Sequence, residues 1–394
     1  MSAIPVHASP FLFELLTNAL PDVYQSYTEL RRLGGVVRDS SGVILLARHD
    51  DIVKTFADRR FTSVGRQSLA SMSPALQEKM KGSRLFELLN FRDGDSHRQA
   101  RRVLAGLFNP DTMEWIRVEI AAEAGVLMER WQTGEADDFV AAVTAQLPMR
   151  ALAMLIGIEE VGLQDFFLRT RNFGAWLSAS VFSEEGLSLV ADEFVWARGW
   201  LRAQLVGKPL FDAVSDDTRE NLLGDLLLVL VTGYDSSVAL LGNGLATLVS
   251  VPALRDRLAR DAGLSLRAAE ELIRYDSPAQ VAFRLALEDV TLGEHRIAKG
   301  EFVALVNGSG NRDETIYEHA DQLNFDRPKQ RALAFGSGPH ACAGAALAKA
   351  QLTGFLDGVR PWLPHLTLDD ATAPPSQHGL LRYRTHLMLR HTVV

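Results

Sequence analysis

The chain has 394 residues, of which 47% are hydrophobic, and a chain of this size and composition can bury a large core. Its net charge of −8 argues against a general nucleic-acid binder, because such proteins usually carry a basic surplus, although a local basic patch is compatible with this value. The single cysteine, Cys342, excludes an intrachain disulfide and any zinc site built from several cysteines, which fits a reducing cytoplasm.

The N-terminal segment and the apolar runs bear on localisation. Residues 1–22 have neither the basic start nor the unbroken apolar core of a signal peptide. No run of ~18 uncharged apolar residues occurs, so no membrane span is predicted. No linker, low-complexity tract or internal repeat divides the chain. We therefore expect a cytoplasmic protein, bound neither to a membrane nor to nucleic acid, that folds as a single domain over residues 1–394.

The first clear pattern along the chain is a β-hairpin over residues 36–47, which turns at residues 40–42. Apolar residues at spacings of three and four then predict helices over 110–133, 138–155 and 185–205.

A longer helical pattern follows over residues 219–249. Its middle, residues 232–237, interrupts an apolar run with residue types that favour caps and turns over a helix interior. Such a break often marks a functional site. The alternative is a pair of helices with a loop between them.

The same periodicity predicts a helix over 266–275, and short strands broken by Gly293 and Gly300 follow over 286–306. The predicted fold class is mainly α with small β-sheets, one near the N-terminus and one after residue 280.

The cysteine lies in the most informative segment. Residues 335–344 read Phe-Gly-Ser-Gly-Pro-His-Ala-Cys-Ala-Gly, and a helical pattern follows. Two glycines before the cysteine permit backbone conformations that are closed to other residues. Free N–H groups at the start of the next helix would stabilise a thiolate. Cys342 is therefore a structural cysteine, a nucleophile or a ligand, and a thiolate held in this way can ligate haem iron.

This segment resembles the cytochrome P450 signature, Phe-Gly-x-Gly-x-His-x-Cys-x-Gly, and agrees with it at all six specified positions. The resemblance implies the P450 fold, with a long central helix that crosses the haem, and a haem b cofactor ligated by Cys342. Phe335 and Gly336 would contact that cofactor. The resemblance extends from about residue 20 to the C-terminus, and it is weakest over 60–90 and 160–205, which would line the substrate pocket.

Glu271 and Arg274 match the family's Glu-x-x-Arg motif, and a spacing of three places both on one helical face. In the family this pair belongs to a buried structural network near the haem. The arginine that usually completes the network is replaced by residues 322–323, Gln-Leu, and Arg327 is the candidate substitute.

Four further residues match positions that bind the haem propionates in the family: His97, Arg101, Arg284 and His340. His97 and Arg101 are four apart and lie on one side of a helix. Charge-assisted donors are the expected partners of two carboxylates in a partly buried site.

The break in the long helix matches the family's Ala-Gly-x-Asp/Glu-Thr motif. The resemblance makes Asp235 and Ser236 the acid and the alcohol that relay protons to oxygen. Serine stands where threonine is usual, and Thr232 stands where alanine or glycine is usual, so ordinary hydroxylation is not the only chemistry to consider.

Position in the fold predicts pocket residues in three places. They are Leu228, Val231, Thr232 and Tyr234 on the long helix, Gln280, Val281 and Phe283 after the Glu-x-x-Arg helix, and Thr385 near the C-terminus.

The resemblance also predicts a partner, because no flavin or nicotinamide domain is evident in the sequence. A ferredoxin with its reductase would supply electrons, docking near Arg98, Arg102 and Lys349, although plain solubility also explains such charges.

Three functions follow from these residues. The first is a monooxygenase that hydroxylates or epoxidises a small molecule, for example in antibiotic biosynthesis. The second is phenol coupling, peroxide-driven oxidation, or oxidation of a substrate tethered to a carrier protein. The third is a non-enzymatic haem sensor, against which the Asp235–Ser236 pair argues, since a sensor needs no proton relay.

Overall fold

The computed structural model describes residues 4–63, 72–133, 138–178, 183–212, 214–372 and 374–391. Helix is the dominant secondary structure within them, as predicted. The α-helices are α1 (Phe11–Leu16), α2 (Val23–Arg32), α3 (His49–Ala57), α4 (Pro74–Ser83), α5 (Gly94–Ala105), α6 (Pro110–Gln132), α7 (Gln146–Ile156), α8 (Leu163–Arg169), α9 (Arg171–Ser178), α10 (Glu184–Leu205), α11 (Pro209–Asp212), α12 (Asp216–Val249), α13 (Pro252–Arg260), α14 (Ser265–Tyr275), α15 (Asn307–Gly310) and α16 (Ala345–Val359). A π-helical segment, Val140–Thr144, precedes α7, so the single helix predicted over 138–155 consists of two segments.

The strands are β1 (Val36–Arg38), β2 (Ile44–Leu46), β3 (Phe61–Thr62), β4 (Ala282–Ala286), β5 (Val290–Leu292), β6 (His295–Ile297), β7 (Phe302–Leu305), β8 (Leu366–Leu368), β9 (Ser376–His378), β10 (Leu381–Tyr383) and β11 (Leu389–His391). Five of them form a mixed sheet in the order β1-β2-β7-β4-β3, and the others pair in two-stranded sheets.

The hairpin predicted over 36–47 is confirmed: Val36 pairs with Leu46 in antiparallel register. Buried Asp39 holds the turn, because its carboxylate accepts hydrogen bonds from the amides of Ser41 and Val43. The strands after residue 280 are also confirmed, except that the first of them, β4, begins four residues earlier than predicted, at Ala282.

The central helix α12 runs unbroken for 34 residues, so the alternative of two helices joined by a loop is wrong. The hydroxyls of Thr232 and Ser236 donate to the carbonyl oxygens of Leu228 and Thr232, at 2.6 and 2.7 Å. Bonding back by one turn lets such residues remain inside a helix. By length and composition α12 resembles a membrane span, but 56% of its most apolar stretch is buried within the protein, as expected for a core helix.

Helix α16, which follows the cysteine, is seated closely on α6. A side chain added at Gly354 would place its Cβ 2.3 Å from the carbonyl oxygen of Arg117, and one at Gly358 would lie 2.4 Å from that of Ala121. An ion pair of 2.5 Å between Arg117 and Asp357 joins the same helices. These contacts fix the C-terminal half of α16 against α6.

Candidate functional site

The loop that carries Cys342 is shaped by two glycines. Gly336 and Gly338 have φ angles of +64° and +71°, which side-chain-bearing residues rarely adopt. A Cβ at Gly338 would also lie 2.3 Å from the carbonyl oxygen of Phe56. The amide of Cys342 donates to the carbonyl of Phe335 at 2.8 Å, which closes the loop directly before α16. The sequence argument for these glycines therefore agrees with the geometry.

The Cys342 thiol is free and exposed at the surface of the loop. Desolvation by the surrounding protein raises its pKa, whereas a hydrogen bond from the Gly344 amide and the charge of Arg101 lower it. The Gly344 amide at the start of α16 therefore favours the thiolate, as the sequence argument expects, while desolvation of the thiol acts against it. A bound metal cation would reverse the balance, because a coordinating thiol gives up its proton.

Two imidazoles meet beside this loop. His97 of α5 and His340 have ring centroids 4.3 Å apart, and Nε2 of His340 lies 2.7 Å from the carboxylate of Asp93. The pKa of His97 is lowered to about 4, chiefly by burial and then by the charges of His340 and Arg101. Positive charge is thus disfavoured here unless an anion is added.

Arg284 of β4 is a second cationic group in this region that an added anion would stabilise. It is 7% exposed, its guanidinium lies 4.8 Å from the ring of Phe56, and it donates to the carbonyl of Phe283 at 2.8 Å. Burial lowers its pKa to about 10. Within the described ranges no carboxylate forms an ion pair with Arg284 or with Arg101.

These donors suit a cofactor that has one metal and two carboxylates. A buried guanidinium without a carboxylate partner is costly, and the protonated form of His97, whose pKa is depressed, would be stabilised by a nearby anion. The cysteine loop adds one thiol ligand beside them. The chemistry of the donor set therefore fits haem, with Cys342 on the iron and with His97, Arg101, Arg284 and His340 available to its propionates.

The predicted charge pair is present and buried. Glu271 and Arg274 are 5% and 3% exposed and are joined by two hydrogen bonds of 2.8 and 2.9 Å. Arg327 completes the network, with its Nε 3.1 Å from Glu271. Arg274 also donates to the carbonyl of Asn311, whose side chain accepts from the amide of Leu333 at 2.6 Å. The network thereby supports the chain that enters the cysteine loop.

One face of α12 is open to solvent in the middle of a mostly buried helix. Thr232 and Asp235 are exposed and Leu228 and Ser236 are half-buried, at spacings that place them on one side. Protein around Asp235 nevertheless raises the pKa of its carboxyl by desolvation. No described residue forms a hydrogen bond or an ion pair with that carboxylate. A Cβ at Gly174 of α9 would lie 3.6 Å from it, so α9 approaches closely there.

Several predicted pocket residues have partners in the core of the protein. Gln280 is fully buried, accepts from the hydroxyl of Tyr27 at 2.8 Å and donates to the carbonyl of Ser277 at 2.5 Å, so its polar atoms serve the fold. Val281 packs in the same core as Tyr27, and Phe283 packs against it. These contacts account for the burial of Gln280 and Val281, and the pocket roles of Gln280, Val281 and Phe283 stay predictions.

Two further predicted pocket residues, Tyr234 and Val231, have neighbours on α8 and α9, and their pocket roles also stay predictions. The ring of Tyr234 stacks on Phe167 of α8 at 4.1 Å, about 100° around the helix from Asp235. Val231 is buried against Gly174. Thr385 is exposed in the segment after β10, and its pocket role stays a prediction. Of the segments expected to line the pocket, residues 64–71 and 179–182 lie outside the described ranges. A separate surface cavity of about 500 Å³ between α6 and α7 contains none of the predicted residues.

The sequence interpretation missed two groups near the site. Asp93 accepts from His340 and from Thr62, and an aspartate directly before the helix that carries His97 was a signal that could have found it. Tyr383 of β10 is half-buried, and its pKa is raised by desolvation and by the charge of Asp235. No local pattern signals Tyr383, since β10 is distant from α12 in the chain.

The basic residues predicted to meet a partner are only partly available. Lys349 pairs with Glu270 at 2.9 Å, and Arg98 pairs with Asp95 within its own helix. Arg102 is exposed.

Comparison with known proteins places these features in context. A family model described as Cytochrome P450 matches residues 267–359. The mycinamicin IV hydroxylase/epoxidase of Micromonospora griseorubida is 31% identical over 360 residues, 88% of this chain and 87% of the relative. The polyketide biosynthesis cytochrome P450 PksS of Bacillus subtilis (strain 168) is 28% identical over 345 residues, 82% and 81% of the two chains.

A solved structure has the same fold. That of P450BioI in complex with hexadec-9Z-enoic acid ligated acyl carrier protein has a TM-score of 0.83 at 22% identity and covers 96% of this chain and 99% of its own.

Proposed function

The chain belongs to the cytochrome P450 family of haem monooxygenases, and we propose that it hydroxylates or epoxidises a small organic molecule in secondary-metabolite biosynthesis, including that of antibiotics. One observation assigns this function to a site: the Cys342 loop lies beside cationic side chains that have no carboxylate partner among the described residues, above all Arg284. The mycinamicin relative is named as a hydroxylase/epoxidase and the other relative as a polyketide biosynthesis P450, and these names support the proposed reaction and substrate class.

The proposed cofactor is haem b, within one domain that spans residues 1–394. Cys342 would ligate the iron, and His97, Arg101, Arg284 and His340 would donate to the two carboxylates. Phe335 and Gly336 would border the ring from the loop. The chemistry supplied by bound haem is the reductive activation of dioxygen.

The protein's own contribution to that chemistry is the handling of protons. The pKa of Asp235 is raised, so its carboxyl can hold a proton nearer to neutral pH than an ordinary aspartate. Ser236 bonds back to the carbonyl of Thr232, and rotation of its hydroxyl would free the hydrogen for a neighbour. We assign Asp235 as the proton donor toward oxygen and Ser236 as the relay beside it.

We propose that a ferredoxin with its reductase supplies the electrons in the cytoplasm. Arg102, which is exposed, is the best placed of the three predicted basic contacts, because Arg98 and Lys349 already have acidic partners. A carrier-protein-tethered substrate is the second candidate, favoured by the likeness to a structure that holds an acyl carrier protein.

The test is a compound screen on the haem-loaded protein. Libraries of macrolides, polyketides, phenols and fatty acids, free and as carrier-protein thioesters, are scanned for displacement of the haem absorption band. Compounds that shift the band are then incubated with dioxygen, ferredoxin and reductase, or with hydrogen peroxide alone. Product that contains one new oxygen atom and needs reductant supports the proposal. Coupled dimers, or turnover on peroxide only, would support the alternatives instead.

A further inference from the structure

A buried ion pair ties the segment before α5 to the central helix. Arg92 and Asp225 of α12 are 8% and 2% exposed, and one guanidinium nitrogen contacts both carboxylate oxygens. The amide of Leu89 donates to the same carboxylate at 3.0 Å. A Cβ at Gly224 would lie 3.3 Å from Leu88, so this segment rests directly on the helix. These contacts therefore fix the position of residues 88–92 along α12.

The next residue in the chain connects this contact to the cysteine loop. Asp93 accepts from the hydroxyl of Thr62 at 2.6 Å and lies 2.7 Å from His340, which stands two residues before Cys342. Two adjacent residues, Arg92 and Asp93, thus bind two different parts of the site. One binds the helix that carries Asp235, and the other binds the loop that carries the thiol.

Stability alone is a weak explanation for this pair. The free energy needed to desolvate two charges is about equal to the free energy gained from their attraction. Apolar replacements of similar size therefore often leave the fold as stable as before. Desolvation raises the pKa of Asp225 even with Arg92 beside it, which shows how costly its ionised form is in this place. Directional contacts, in contrast, define a geometry that apolar packing does not.

Arg92 also retains a donor. Its Nε–H is buried and has no hydrogen-bond partner among the described residues. The charge of Arg92 is one of the causes that lower the pKa of His97, so the guanidinium lies within electrostatic range of the imidazole cluster. The pair therefore borders the proposed carboxylate site as well as the helix.

We infer that the Arg92–Asp225 pair is a positioning element that sets the height of the central helix above the haem. Asp225 is ten residues before Asp235, about 15 Å along a rigid helix, so a shift at one is passed to the other. The pair contacts neither of the groups that move protons, and its action is on their distance from the iron. The inference rests on the proposed function of Asp235 and Ser236.

The experiment replaces the pair without removing its volume. Arg92→Met with Asp225→Leu is compared with wild type and with Asp357→Asn, which breaks an ion pair between α6 and α16 away from the site. Haem-loaded proteins are titrated with imidazole and with 4-phenylimidazole, two iron ligands of different size. Hydrogen–deuterium exchange of residues 226–236 and thermal unfolding are measured on the same samples.

The double variant should unfold at a somewhat lower temperature than wild type, because the buried amide of Leu89 loses its acceptor, but it should still fold. Its affinity for 4-phenylimidazole relative to imidazole should rise about tenfold, since a displacement of ~1 Å is enough to alter a site. Exchange over 226–236 should rise with it, and Asp357→Asn should change neither readout. A double variant with the wild-type affinity ratio and exchange would overturn the inference while leaving the proposed function intact. Wild-type protein that shows no thiolate-ligated haem spectrum would overturn both.

Discussion

The imidazole rings of His97 and His340 lie 4.3 Å apart with a tilt of 33° between their planes, although one belongs to α5 and the other to the cysteine loop. Two rings that can each carry a positive charge rarely benefit from such proximity in a buried place. Their arrangement makes sense beside an anion, and it couples the α5 donors to the loop that bears the thiol. The contact therefore has a consequence for how stability depends on pH.

Haem-free protein should lose stability as the pH falls from 6.5 toward 4. The pKa of His97 is about 4 in the folded chain and close to its ordinary 6.5 when unfolded, so the unfolded state binds the proton first. The stabilisation of the folded state by neutral His97 is complete above pH 6.5. It is lost as the pH falls through the folded-state pKa of about 4. Urea unfolding of wild type and His97→Gln at pH 7 and pH 5 measures it. Equal pH dependence in both proteins would contradict the assignment.

Cys342→Ser should abolish thiolate ligation. Wild-type protein loaded with haem should give a ferrous carbon monoxide complex with the strongly red-shifted band of a thiolate ligand, and the serine variant should lack that band because an alcohol is not deprotonated under the same conditions. Absorption spectra of both complexes provide the test. A variant that retains the band and full activity would show that another residue ligates the iron.

Glu271→Ala should yield little folded, haem-loaded protein. Removing one partner leaves Arg274 and Arg327 buried without their carboxylate, at a cost of ~3 to 5 kcal/mol. Glu270→Ala is the matched control, because the neighbouring glutamate makes a more exposed pair with Lys349 worth under ~1 kcal/mol. Soluble yield, haem content and chemical unfolding are compared. Equal losses in the two variants would mean that the buried network stabilises the protein no more than the more exposed Glu270–Lys349 pair does.

Asp235→Asn should separate binding from chemistry. The substrate-induced spectral shift should stay close to wild type, while product formed per reducing equivalent should fall at least about tenfold and hydrogen peroxide should be released, since one positioned proton donor typically contributes ~10²- to 10⁴-fold. Ser236→Ala should uncouple more mildly, because water can occupy the place of so small a hydroxyl. Unchanged coupling in both variants would direct attention to another proton source, with Tyr234 and Tyr383 as candidates, because desolvation and the charge of Asp235 raise the pKa of both.

Local features of the chain were sufficient for the elements that depend on neighbours in sequence. Apolar spacing predicted the length of the central helix because its burial repeats every turn, and the glycines at 336 and 338 predicted the cysteine loop because their φ angles exclude other residues. A spacing of three predicted the Glu271–Arg274 pair, since a helix brings those positions together whatever surrounds it.

Tertiary structure alone decided which faces those elements turn toward the site. Gln280 accepts a hydrogen bond from Tyr27, and Tyr234 stacks on Phe167, and both partners come from distant segments that no local pattern indicates. The same holds for Arg92 and Asp225, whose pairing no periodicity predicts. Burial and pairing across long loops depend on how helices pack in three dimensions, and a one-dimensional pattern records only that a side chain is apolar or charged, not what it will meet.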